Sequence, residues 1–99
     1  MHYLMFYDYT ADYLERRGAY RKEHLTLAWA AQERGELVLG GAYDDPADGA
    51  ALLFNCESPD VPERFAKADP YVRNGLVRRW RIRRWNTAVG ASAANPIRG

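Results

Sequence analysis

The sequence has little of several features that would mark a specialised class of protein. Cys56 is its one cysteine, so no disulfide can form within the chain, and we expect a reducing, cytoplasmic environment. No apolar run approaches the roughly 18 residues that a membrane-spanning helix needs. The first residues also lack the basic flank and cleavage site of a signal peptide. We therefore expect a soluble chain without a membrane partner.

The charge of the chain is nearly balanced. A formal net charge of +1 over 99 residues provides no overall field that would attract nucleic acid or a membrane surface. Five arginines do fall within residues 78–84, so any electrostatic partner would have to bind locally. With 47% hydrophobic residues, this length fits one domain with one core. We predict a domain over residues 1–85 and a loose tail over residues 86–99.

The spacing of apolar residues predicts four strands and two helices in the order β-α-β-β-α-β. Gly35 is typical of the left-handed cap that ends a helix, and Ser58 before Pro59 is typical of a helix start. The turn-forming residues 44–49 join the second and third strands as a hairpin. The predicted strands are residues 3–7, 36–43, 51–56 and 76–85, and the predicted helices are residues 13–34 and 59–68.

This order predicts an α+β, ferredoxin-like fold, in which two helices cover one face of a four-stranded antiparallel sheet. Alternation puts Leu4 and Phe6 on one side of the first strand and Met5 on the other, so both sheet faces are apolar. Two helices cannot cover both faces, and an exposed apolar surface of this size usually mediates association. We therefore predict a homodimer packed through the helix-free face.

Several short motifs resemble the YCII-related family. They are residues 21–25 (Arg-Lys-Glu-His-Leu), 40–41 (Gly-Gly), 66–71 (Ala-Lys-Ala-Asp-Pro-Tyr) and 75–76 (Gly-Leu). The resemblance covers residues 2–85 and departs at Ala42, where the family often has proline. It implies a dimeric α+β barrel with a His-Asp pair in a cleft, which corresponds to His24 and Asp69. It also implies, for some members, dehalogenation or breakdown of small aromatic compounds.

His24 and Asp69 are the candidate catalytic residues. Helical spacing places His24 on the inward face of its helix, and Pro70 favours presentation of Asp69 from a loop. Each residue alone also fits a structural role: His24 could be a core histidine, and Asp69 could form the turn at the end of a helix. If they meet, the carboxylate would fix the histidine tautomer and leave the other ring nitrogen for general acid or base catalysis. The resulting hypothesis is a lyase, hydrolase or isomerase that acts on a small substrate, for which the resemblance implies an aromatic compound.

Four further residues are candidates for binding the substrate. Arg21 lies one turn before His24, where it could bind a carboxylate or phenolate or pair with a nearby acid. Tyr7 and Tyr71 could contribute a phenol or simply pack, and Gly41 could allow close backbone approach or form a bulge. We predict no metal, because no Cys/His cluster or calcium-loop spacing occurs. We also predict no cofactor.

Two other functions are compatible with the sequence. The chain could be a ligand-binding or regulatory domain that keeps the cleft without turnover. A nucleic-acid-binding module is a further alternative, because the fourth strand is rich in arginine. It is less favoured, because residues 51–56 carry no glycine-aromatic RNA signature.

Overall fold

A computed structural model describes residues 1–99 as four strands and four α-helices. The strands are β1 His2–Tyr9, β2 Leu37–Ala42, β3 Gly49–Asn55 and β4 Val77–Trp85. The helices are α1 Tyr13–Arg16, α2 Arg21–Glu33, α3 Asp60–Ala68 and α4 Pro70–Arg73. The strands form one antiparallel sheet in the order β2-β3-β1-β4. The predicted α+β, ferredoxin-like fold is confirmed.

The two faces of the sheet differ in what covers them. Met5 is fully buried under the helices and pairs with Leu52 on one side and Ile82 on the other. The opposite face carries Leu4 and Phe6, half-buried, in the middle of the sheet. Along β4 this face is basic, because Arg79, Arg81 and Arg83 lie opposite Asp8, Phe6 and Leu4. The helix-free face is therefore apolar at its centre and positively charged along one edge.

The predicted helix 13–34 is interrupted. A 3₁₀ turn over Arg17–Ala19 separates α1 from α2, at the position of Gly18. The end of α2 follows the prediction, because Gly35 has a left-handed φ of 81°. The Gly35 amide donates to the Gln32 carbonyl at 2.9 Å and the Glu36 amide to the Ala31 carbonyl at 3.0 Å, which is a Schellman cap.

The apolar residues of α2 do not all face the core. Ala31 is buried, whereas Leu25 and Trp29, on another side of α2, are 41% and 63% exposed. The physical reason is the position of α2, which packs mainly against the edge strand β2. One side of the helix therefore borders an open cavity instead of the core.

The second helical region is longer than predicted. α3 begins at Asp60, one residue later than predicted, with Pro59 as its N-cap, and Ser58 Oγ accepts a hydrogen bond from the Asp60 amide at 3.2 Å. After α3 the chain extends for one residue, Asp69, and then forms the short helix α4, which the sequence analysis missed. The turn after α4 places Leu76, fully buried, just before β4.

The last residues form neither helix nor strand, but hydrogen bonds attach them to the domain. Thr87 is buried, and its Oγ1 lies 2.7 Å from His2 Nδ1 and accepts from the Ala94 amide at 2.8 Å. The Asn95 amide also donates to the Thr87 carbonyl, at 3.0 Å. None of the helices combines the length and the apolar character needed to cross a bilayer.

Candidate functional site

Asp69 is held at the junction of α3 and α4. Its backbone is extended, with φ −70° and ψ 123°, and Pro70 follows as the first residue of α4. The Asp69 side chain caps that helix, because Oδ1 accepts a hydrogen bond from the Tyr71 amide at 3.0 Å. Asp69 is nonetheless completely buried, which is rare for a carboxylate without several hydrogen-bond donors around it.

His24 is the second donor to this carboxylate. From the first turns of α2, its Nδ1 lies 2.9 Å from Asp69 Oδ1, so the predicted contact is present. An ionised carboxylate only accepts hydrogen bonds, so Nδ1 carries the proton. The His24 ring also stacks on the Tyr71 ring, with centroids 4.0 Å apart and planes 12° apart. The hydrogen bond and the stacking together define the tautomer and the plane of the imidazole.

Tyr7 is the third donor. It lies in the central strand β1, is fully buried, and donates from its hydroxyl to Asp69 Oδ2 at 2.8 Å. Burial, together with the negative charge of Asp69 and this hydrogen bond, raises the pKa of Tyr7 far above its usual value. The phenol therefore stays protonated and remains a donor. The Tyr7 ring borders the cavity, while its hydroxyl is engaged by Asp69.

A cavity of about 550 Å³ opens beside this group, between α2 and the β2 end of the sheet. Its walls are mainly aromatic and aliphatic, and they include no carboxylate, serine, threonine or cysteine. The lining residues that bear on its chemistry are Tyr9, Tyr13, Arg17, Arg21, His24 and Tyr71. The lining thus offers proton transfer at His24 but no side chain suited to covalent catalysis by attack on an acyl group.

Tyrosines form one wall of the cavity, and two of them, Tyr9 and Tyr13, were not predicted as site residues. Tyr9 and Tyr13 stack with centroids 3.6 Å apart, and Tyr71 meets Tyr13 edge-on at 5.7 Å. Burial, and next the nearby Tyr13, raise the pKa of Tyr71 to about 12, so its phenol is neutral at ordinary pH. Alternation offered a signal for Tyr9, because it lies two residues from Tyr7 on the same face of β1.

The remaining candidates also border the cavity. Arg21 begins α2 and is exposed at the edge of the cavity, and Gly41 lies opposite on β2. A Cβ at Gly41 would have no atom within 4 Å, so this stretch of backbone is open to a ligand. Arg17, which was not among the predicted site residues, lies half-buried near them with its guanidinium 5.6 Å from the Tyr13 ring centroid.

Comparison with known proteins gives one family and several structures. The family model for the YCII-related domain matches residues 1–86. A solved structure of 5-chloro-2-hydroxyhydroquinone dehydrochlorinase from Burkholderia phenoliruptrix, in complex with 2,5-dihydroxybenzoquinone, is 22% identical with a TM-score of 0.76, over 89% of this chain and 96% of that chain. A protein from Agrobacterium tumefaciens is 16% identical with a TM-score of 0.59, over 95% of this chain and 98% of that one. At these identities the two structures establish the fold. Among curated protein sequences there is no match.

Proposed function

This chain belongs to the YCII-related family, and from that premise we propose that it binds a small planar molecule in its tyrosine-lined cavity and catalyses proton transfer on it. The observation that carries the proposal is the contact of His24 with the buried Asp69 at 2.9 Å, at the wall of that cavity. An imidazole oriented by a carboxylate is a common general acid or base.

In this proposal His24 is the residue that exchanges the proton. Because Nδ1–H is donated to Asp69, Nε2 carries the free lone pair and accepts a proton from the ligand. Asp69 orients the ring and stabilises the imidazolium that results. Arg21, Tyr71 and Gly41 bind the ligand, and no metal or cofactor takes part.

The choice of ligand class has two supports. The first is the cavity itself, because tyrosine rings that stack on one another favour flat molecules. The second is the similar fold of a dehydrochlorinase whose structure holds 2,5-dihydroxybenzoquinone. We therefore propose small hydroxylated or halogenated aromatic compounds as the substrates, with elimination, isomerisation or hydrolysis as the reaction class.

A ligand screen followed by turnover assays tests this function. Thermal-shift measurements with hydroxyquinones, halogenated phenols, aromatic acids and lactones are expected to identify ligands, and product analysis then follows each one. We expect His24→Ala and Asp69→Asn to abolish turnover of a substrate found in this way. His2→Gln is the matched control, because His2 contacts Thr87 and does not border the cavity.

Two results would contradict the proposed catalysis. Turnover at the wild-type rate in folded His24→Ala protein would exclude His24 as the acid or base. A ligand that raises the melting temperature but is always recovered unchanged would favour the alternative function, a binding or regulatory domain that uses the same cavity without chemistry.

We also propose that the protein is a cytoplasmic homodimer formed through the helix-free sheet face. Leu4, Phe6 and Leu53 form the apolar centre of this face, and a second copy related by a two-fold axis would cover it with the same apolar residues. Light scattering is expected to give twice the chain mass at micromolar concentration, and Leu53→Arg is expected to give the monomer mass. A monomeric wild-type protein would refute this assembly.

A further inference from the structure

Two arginines at the cavity have no acidic partner. Arg17 and Arg21 make no ion pair and no side-chain hydrogen bond in the structure. Of the ten other arginines, five pair with aspartate or glutamate, namely Arg16, Arg34, Arg73, Arg79 and Arg81, and the five without an acidic partner do not line the cavity. The two guanidiniums that line the cavity beside His24 are therefore available to a ligand.

The cavity concentrates their positive charge. Arg17 and Arg21 are the only permanently charged side chains among the residues that line it, and no carboxylate lines it to neutralise them. Arg17 is half-buried over the Tyr13 ring, which restricts the orientation of its guanidinium. A positive potential beside low-dielectric aromatic walls favours an anion over a neutral molecule of the same shape.

The spacing of these residues gives the ligand an orientation. Arg21 and His24 are three residues apart in α2 and therefore lie on the same side of that helix, and Arg17, in the 3₁₀ turn before α2, lines the same cavity. At a rise of about 1.5 Å per residue, Arg21 and His24 are separated by roughly 5 Å along the helix. A flat molecule lying against the tyrosines can therefore meet a guanidinium at one end and the imidazole at the other.

We propose that the cavity selects planar oxyanions: aromatic or conjugated molecules with two oxygens that share one negative charge, bound by Arg17 and Arg21 and presented to His24. A carboxylate on a ring and an ionised hydroxyquinone both have this chemistry, and both match the two-pronged geometry of a guanidinium. This inference rests on the proposed function and deepens it, because it names the charge that the substrate carries and the residues that bind the charged group.

Pairs of ligands with the same shape and different charge test the proposal. Calorimetry on the full chain would compare benzoate with benzamide, and 2,5-dihydroxybenzoquinone, which is anionic at neutral pH, with the neutral 2,5-diaminobenzoquinone. We expect the wild-type protein to bind the anion of at least one pair about tenfold more tightly than its neutral counterpart. Which pair shows the larger preference distinguishes a carboxylate from a hydroxyquinone as the natural anion.

Variants assign the preference to the two arginines. In Arg17→Gln/Arg21→Gln protein we expect the affinity for the anion to fall about 10- to 100-fold while the affinity for the neutral counterpart is unchanged. Arg78→Gln/Arg84→Gln is the matched control, because it removes the same charge from exposed residues of β4 that do not line the cavity. Circular dichroism establishes that each variant is folded. The reversed variant Arg17→Glu/Arg21→Glu is expected to prefer benzamidine to benzoate.

The outcomes separate this inference from the proposed function. Equal binding of anion and neutral counterpart by the wild-type protein, or an unchanged anion preference in the glutamine variant, would overturn the inference and leave proton transfer at His24 possible for neutral ligands. Selective, arginine-dependent anion binding without any chemical conversion would support the inference and overturn the proposed catalysis. No binding of any flat molecule would overturn both.

Discussion

A double-mutant cycle on Tyr7 and Asp69 tests whether the two side chains act as one buried unit. Tyr7 donates to Asp69 Oδ2 at 2.8 Å, and both side chains are fully buried. Tyr7→Phe keeps the ring and removes the donor, so Oδ2 loses its only hydrogen bond. A hydrogen bond to a charged group contributes about 1.5–3 kcal/mol. We expect Tyr7→Phe to lower the free energy of unfolding by about 2 kcal/mol.

The amide in Asp69→Asn has one orientation that fits. The backbone amide of Tyr71 donates at the Oδ1 position and cannot turn away, so the asparagine oxygen must lie there and its NH₂ group must face Tyr7. The same oxygen still accepts from His24 Nδ1, so the tautomer is retained while the negative charge is lost. The Tyr7 hydroxyl then accepts from the NH₂ group, and its own proton has no acceptor in a buried position.

This arrangement predicts strong coupling between the two substitutions. In the Asp69→Asn background, Tyr7→Phe removes a neutral hydrogen bond that stabilises the folded state by about 1 kcal/mol. It also removes a buried hydroxyl proton without an acceptor, which destabilises the folded state by a similar amount. Its net effect should be close to zero, so the coupling energy is about 2 kcal/mol. For a chain of this length that difference corresponds to roughly 10 °C in melting temperature.

Urea unfolding of the four proteins, followed by tryptophan fluorescence, measures the cycle, and nitrogen-15 NMR reports the His24 tautomer. Tyr20→Phe is the matched control, because Tyr20 is half-buried and its hydroxyl makes no hydrogen bond in the structure, so little change is expected. If Tyr7→Phe costs the same in both backgrounds, or if Asp69→Asn moves the proton from Nδ1 to Nε2, the arrangement deduced for this carboxylate is wrong.

Three further predictions concern stability. The pKa of Tyr7 is raised on folding, so its contribution is fully present below pH 10 and is lost as the pH rises above 10. Between pH 10 and pH 11 the free energy of unfolding should fall by about 1 kcal/mol more than in Tyr7→Phe. Urea-unfolding free energies that fall equally in the two proteins over this interval would contradict this. Gly49→Ala should lower the free energy of unfolding by about 1–3 kcal/mol, because a Cβ there would meet the Tyr7 carbonyl and lie 2.9 Å from the Tyr43 ring. A melting temperature equal to that of Gly41→Ala would argue against that contact. Glu23→Gln breaks an exposed ion pair to Arg73 between α2 and α4 and should lower the free energy of unfolding by less than about 1 kcal/mol. A larger decrease in the same thermal-melting experiments would show that this pair holds the two helices together.

The sheet was predictable because its period-two pattern is strong and local. Alternation in β1 assigned Met5 and Phe6 to opposite faces, and the structure has Met5 buried under the helices and Phe6 on the helix-free face. Helix α2 was less predictable, since its apolar residues serve two surfaces. Leu25 and Trp29 look like core residues by spacing, but they are exposed beside the cavity. Hydrophobicity alone does not distinguish a core from the rim of a site.

The contact of His24 with Asp69 was anticipated from a family resemblance, and the local structure at Asp69 had a physical signal that was not used. Aspartate before proline is typical of an N-cap followed by the first helical residue, and α4 begins in this way. The contact of Tyr7 with Asp69 had no such signal. The two residues are 62 positions apart in the chain, and no local pattern specifies which buried donor will meet a given carboxylate.

The topology explains why three distant residues meet at one carboxylate. β1 is an inner strand in the order β2-β3-β1-β4, so its Tyr7 lies beneath both helical regions, with α2 supplying His24 and the α3–α4 junction supplying Asp69. The side chains of Tyr7 and Asp69 are completely buried, whereas the His24 side chain remains 15% exposed toward the cavity. Tyr7 and Asp69 therefore lie inside the core, and His24, the residue proposed to exchange a proton, lies at its surface. Substitutions at Tyr7 should act on kcat through the orientation of His24, whereas substitutions at Arg17 and Arg21 should act mainly on KM.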